Sequence, residues 1–130
     1  MKKLLLTLIA VVLLTANVAS AAWTAVGETD NYITYADLAT ISKSGNMAKV
    51  WTLMNFKDRQ TLVEGSYHSA KIQYEFDCEE ERSRYLSFSW FLGKMGKGEV
   101  VYTNSDVGEW RHLGPDSVDE TLWEYACIKE

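Results

Sequence analysis

Few residues in this sequence have types and spacings that could do chemistry. Histidine occurs twice, as His68 and His112, and cysteine twice, as Cys78 and Cys127. The imidazoles are the natural general bases. Asp106 or Asp116 stands near enough in sequence to orient His112, and Ser66, Ser69 and Ser117 are the hydroxyls on offer as nucleophiles. None of these serines lies in a GxSxG or another nucleophile setting. Glu75 and Asp77 share one face of an expected strand, roughly 7 Å apart, a span that suits acid and base work on a glycoside. That face is polar and expected to be solvated, so nothing there drives two carboxylate pKa values apart. The run GKMGKG, Gly93 to Gly98, invites a phosphate-loop reading, but it does not fit GxxxxGK[ST] and no helix signal follows. A glycine-rich turn between strands accounts for it. Lys94 and Lys97, with Arg82 and Arg84, are the basic clusters that an acidic partner such as a glycosaminoglycan would touch. The reading is of a protein with no catalytic, cofactor-binding or metal site.

The stretch EFDCEEERSRYLS, residues 75 to 87, asks what Cys78 is for. A metal site needs further soft or imidazole ligands, yet neither cysteine sits in a CxxC and the histidines show no ligand spacing. A catalytic thiol needs an electropositive setting, and Glu79, Glu80 and Glu81 supply the opposite. In an exported chain with two cysteines and no third, a disulfide between Cys78 and Cys127 is the default.

Export is itself read from the first residues. MKKLLLTLIAVVLLTANVASAA runs from two lysines through an apolar stretch to small residues, the order of a secretory signal peptide with cleavage expected before Ala22. The apolar run is shorter than the roughly 20 residues of a spanning helix. A lipoprotein signal needs a cysteine at the cleavage point, and the first cysteine here is Cys78, so the expectation is a soluble periplasmic or secreted protein. The chain of 130 residues, less the 21 of the signal, leaves 109, one domain expected over residues 22–130. With Lys2 and Lys3 gone, 11 basic residues face 18 acidic ones, a charge of −7. Such a balance argues against nucleic acid and against an anionic membrane surface. Five Trp, seven Tyr and four Phe are a high aromatic load, read mainly as core and sheet-face residues, with an aromatic ligand platform as the alternative.

The elements that must position these residues are mostly strands. SYHSAKIQYEFDC, residues 66 to 78, alternates: Ala70, Ile72, Tyr74, Phe76 and Cys78 point one way and Ser69, Lys71, Gln73, Glu75 and Asp77 the other. After a polar turn at the glutamates, Leu86, Phe88, Trp90 and Leu92 are expected inward, with Ser83, Ser87 and Ser89 outward. NMAKVWTLMNF, residues 46 to 56, is apolar on both faces and reads as a central strand covered above and below. Asn31 to Ala36 and Glu99 to Thr103 are shorter candidates, and Ser44-Gly45-Asn46 is a turn. After Gly114-Pro115 the period becomes helical, with Ser117 and Glu120 as a capping box and Val118, Leu122, Tyr125 and Ala126 as the apolar stripe. Cys127 falls at the margin of that stripe, so a bent or frayed last turn is expected. The sum is an α+β fold, an antiparallel sheet of about five or six strands with a C-terminal helix tied to one face.

In this order NMAKVWTLMNF, SYHSAKIQYEFDCEEERSR, MGKGEVVY, Trp110 and GPDSVDETLWEYAC resemble the surface-adhesin protein E family of bacterial exported proteins. The resemblance covers nearly all of the chain after the signal, and its most distinctive part pairs Glu75-Phe76-Asp77-Cys78 with the late helix ending Ala126-Cys127. It implies the same disulfide-tied sheet and helix. It also implies binding of host extracellular-matrix and serum proteins such as vitronectin and laminin, with no binding residue to carry over. The expected function is therefore a non-enzymatic protein-binding domain, without cofactor, using a sheet face or strand edge. The alternatives are a periplasmic inhibitor or envelope-maintenance factor acting on a bacterial partner, and a small hydrolase using His68 and His112. An exposed edge strand also leaves room for a homodimer.

Overall fold

Gly45 sits at φ +60°, first of the two residues between paired Ser44 and Met47, where a tight hairpin wants glycine. The hairpin it closes is the first long one of an antiparallel meander. The computed structural model describes residues 22–63 and 65–128; the expected signal peptide lies outside the described residues. In chain order the strands are β1 (Thr24–Glu28), β2 (Tyr32–Ser44), β3 (Met47–Leu62), β4 (Gly65–Asp77), β5 (Arg82–Phe91), β6 (Val100–Asn104) and β7 (Arg111–His112), followed by helix α1 (Val118–Cys127). β1 to β6 lie side by side in sequence order, and β7 pairs with β5 beyond the end of β6. The α+β expectation of five or six strands is met and exceeded. β1 and β7 are additions, short pieces with too few residues to show a period. β2 runs on past Ala36 to Ser44 through an irregularity between Asp37 and Ser42.

The core lies between α1 and one sheet face. Ala36, Ala48, Val50, Ala70, Ile72, Tyr74 and Phe76 meet Leu122 and Ala126 there, all buried. Alanines at 36, 48 and 126 are fully covered, because a helix can lie close on a sheet only where side chains are short. Gly27 acts the same way at the edge: a Cβ there would come 2.9 Å from Val118 Cγ2. Ser117 is the N-cap, its Oγ accepting from the Glu120 N–H at 3.1 Å. Glu120 reaches the Asp116 N–H at 3.4 Å, one residue earlier than a capping box requires. The last turn is regular, contrary to expectation. Ile128 N–H bonds Glu124 O at 2.9 Å, and Cys127 reaches Cys78 by a disulfide with Cα atoms 5.5 Å apart.

The other face of the sheet is covered too. The link from β5 to β6 folds over β3 and β4 as a short 3-10 turn, Lys94–Gly96. Ser69 Oγ donates to Gly93 O at 2.6 Å and accepts from Gly96 N–H at 2.8 Å, while Asn55 Oδ1 takes the Met95 N–H at 2.8 Å. Leu53 is fully buried on this face. Thus the central strand is covered on both sides, and the glycine-rich run is more than a turn. The φ of +68° at Gly96 favours glycine, and a Cβ there would also push aside the end of the Lys71 side chain, 2.6 Å away.

Two expected alternations fail. Gln73 pairs Ser87 but Tyr74 pairs Tyr85, so Leu86 is an extra residue in β5. Beyond this bulge Tyr85 and Ser83 turn to the core face, and Ser83 is buried where it was expected outward. Leu92, expected inward, follows the end of β5 and is exposed. The face of Glu75 and Asp77 is not solvated: both side chains are buried, each against an arginine from β5. Among the described residues no helix is long and apolar enough to cross a membrane.

Candidate functional site

Where α1 stops covering the sheet, a row of rings takes over. The helix begins at Val118 and runs toward the end of β4, so the same face beyond its first turn is left to side chains of five strands. Tyr32 of β2 pairs across from Phe56 of β3, their centroids 5.7 Å apart and edge to face. Phe56 meets Tyr67 of β4 at 5.5 Å, and Tyr67 stacks on Trp90 of β5 at 4.7 Å and 11°. Trp90 continues to Tyr102 of β6 at 4.7 Å, with Phe88 filling behind both. Offset and edge-to-face pairs at these distances are the favoured ring geometries. Every member is half-buried, one side in the row and one side open.

Tyr67 joins the row beside a register irregularity. Asn55 pairs Ser69 but Gln60 pairs Tyr67, so β3 carries extra residues here. Strict alternation from Ala70 would put Tyr67 on the opposite face. β2 starts at Tyr32 and β5 ends opposite Ser69, so the β3 and β4 ends run past both neighbours as a projecting hairpin. Leu62 and Val63 are exposed at its tip.

A polar clasp borders the row at the start of α1. Asp119 Oδ1 accepts from the Tyr74 hydroxyl at 3.5 Å, and the Arg111 guanidinium lies 4.6 Å over the Tyr85 ring. Burial raises the Asp119 carboxyl above its ordinary range, against the pull of Arg111 and the Tyr74 hydroxyl. Burial raises the Tyr74 phenol well above 10, helped by the Asp119 charge. Tyr32 and Tyr67 are also raised, chiefly by burial. Tyr32 and Tyr67 therefore offer neutral phenols among apolar ring edges at physiological pH. Its chemistry is contact and hydrogen bonding.

The histidines and serines singled out in the sequence do not converge. His68 lies in β4 at the register irregularity, its buried Nε2 without a partner among the described residues, while His112 is exposed in β7. Ser69 holds the 93–98 segment and Ser117 caps α1. Arg82 and Arg84, offered as a basic cluster, are taken up by Asp77 at 3.1 Å and Glu75 at 2.6 Å, and both lie against the Trp110 ring. They leave little free charge for an acidic partner. Glu79, Glu80 and Glu81 form the expected exposed turn, organised by Asp77 Oδ1 accepting from the Glu79 and Glu80 N–H groups.

A family model described as surface-adhesin protein E matches residues 23–128. The chain belongs to the surface-adhesin protein E family. The adhesin E fold is also what solved structures share with it. A structure of Haemophilus influenzae protein E superposes with a TM-score of 0.61 at 14% identity, covering 83% of this chain and 84% of that one. A second crystal form gives 0.60 at 12% over 84% and 96%, and protein E from non-typeable Haemophilus influenzae 0.57 at 13% over 78% and 71%. Among curated proteins no match is found. The adhesin E family is not an enzyme class.

Proposed function

We propose that residues 22–130, freed of the signal peptide, form one exported, non-enzymatic domain that binds another protein through the aromatic row and the projecting hairpin. The observation that carries this reading is the half-exposed row of Tyr32, Phe56, Tyr67, Trp90 and Tyr102 beyond the end of α1. Tyr and Trp are the side chains most enriched where protein interfaces concentrate their binding energy. Ordered against one another in the free protein, they lose little further entropy on binding. Family membership supports host matrix or serum proteins, vitronectin and laminin among them, as the partners.

The exported location and the host partner are tested together. Intact cells are treated with protease while this protein is followed, and the mature domain is titrated onto immobilised vitronectin and laminin. The reading expects cleavage on intact cells or release into the medium, with saturable binding to at least one matrix protein. Protection until the outer membrane is opened, with capture of an envelope enzyme instead, would favour a periplasmic partner.

A further inference from the structure

The opposite face of the sheet carries a cleft that the protein-binding reading does not use. Between Asp37 and Ser42 β2 arches away from β3, and Thr40 replaces the missing ladder bond: its Oγ1 accepts from the Trp51 N–H at 3.0 Å and donates to Asp37 O at 2.6 Å. The arch opens a space of about 330 Å³ lined by Trp23, Asp37, Thr40, Trp51 and Lys71. That volume is at the small end of ligand sites.

We infer that this cleft holds a neutral sugar ring at the end of a glycan. Two indoles give the lining a carbon-rich surface, suited to the C–H face of a pyranose. Asp37 has one carboxylate oxygen on the Ala39 N–H at 3.3 Å, and a carboxylate has acceptor sites beyond that one bond for sugar hydroxyls. Lys71 has the Phe91 ring 5.1 Å from its ammonium and donors to spare.

One carboxylate and one ammonium in the lining bear on the class of ligand. A quaternary ammonium would suit the indoles but meets the charge of Lys71. A sialylated or phosphorylated group meets the charge of Asp37. The side chain of a peptide Phe or Leu would fill the space and strip water from both charges without pairing either, a cost that selects against it. A polyhydroxylated neutral ring with one apolar face offers carbon to the two indoles and hydroxyls to Asp37 and Lys71 without bringing a like charge to either. The inference goes beyond the protein-binding reading and does not rest on it, since the cleft and the aromatic row lie on opposite faces.

The test titrates the mature protein with neutral oligosaccharides ending in galactose, glucose, mannose or N-acetylglucosamine, with choline and sialylated oligosaccharides as controls. Binding is read by tryptophan fluorescence and by the indole N–H resonances. The expected result is saturable binding of one or more neutral sugars that moves the Trp23 and Trp51 resonances. Trp23→Ala, at the edge of the sheet, should weaken it by about tenfold with an unchanged melting temperature, while Trp90→Ala leaves it intact. Should Trp23→Ala not fold, the indole shifts in the unaltered protein decide. No neutral sugar moving those resonances, binding undiminished in folded Trp23→Ala, or preference for choline or sialylated sugars would each overturn the inference.

Discussion

Arg84 lies directly across the β4–β5 pair from Glu75, its Nη2 2.6 Å and its Nε 2.8 Å from Glu75 Oε1, with the Trp110 ring 4.3 Å from its guanidinium carbon. The carboxylate is nearly buried, so the arginine is what keeps its charge tolerable. Arg84→Ala should therefore destabilise by roughly 3 kcal/mol, since it strands a buried charge, whereas replacing both partners with apolar residues of similar size should cost much less. Urea unfolding of Arg84→Ala and of the double variant measures the difference.

Two aspartates give the acid response opposite slopes. Asp77 is held below its ordinary pKa, first by the Glu80 N–H, then by Arg82 and the Glu79 N–H. Its contribution to stability is present above the unfolded carboxylate range and is lost as pH falls through the depressed native value. Asp119 is raised by burial, so the native state holds that proton more tightly and its contribution grows as pH falls from the raised value toward the unfolded one. Asp119→Asn should thus lose stability more steeply on acidification than the wild type, and Asp77→Asn less steeply. Melting temperature measured from pH 7 down to pH 3 separates the two.

The disulfide closes a separation of 49 residues. In the loop-entropy account such a tie is worth roughly 4 kcal/mol. For a chain of this size its loss should lower the melting point by about 15 °C. Reduction, or Cys78→Ser with Cys127→Ser, should give this fall, and calorimetry reads it.

The N-cap is a smaller and cleaner term. Ser117→Ala removes the acceptor of the Glu120 N–H and should cost about 1 kcal/mol, while Ser117→Asp should recover most of it. Chemical denaturation of both variants checks the order.

What was legible in the sequence was local. Alternation from Ala70 to Cys78 places that strand and points its cysteine at the core, and the Ser117 cap starts α1 where the period changes. The family and the disulfide follow from the same segments. The aromatic row was hidden because it is made by register between five strands, and strict alternation from Ala70 puts Tyr67 on the opposite face. The buried carboxylates had a readable signal. Counted back across the turn at 78–81, Arg82 falls opposite Asp77 and Arg84 opposite Glu75, so that face carries pairs of opposite charge. A bulge such as Leu86 has no comparable signal, because one inserted residue leaves hydrophobicity nearly unchanged while reversing the face of everything beyond it.

Binding of protein by the aromatic row is the proposal on which the function rests. Its most direct test is the affinity of the mature domain for vitronectin and laminin, compared with that of Trp90→Ser and Tyr67→Ser variants that retain a wild-type fold by circular dichroism. The account predicts saturable binding by the wild type and a loss of at least about tenfold in each variant. Variants that bind as tightly as the wild type would contradict it.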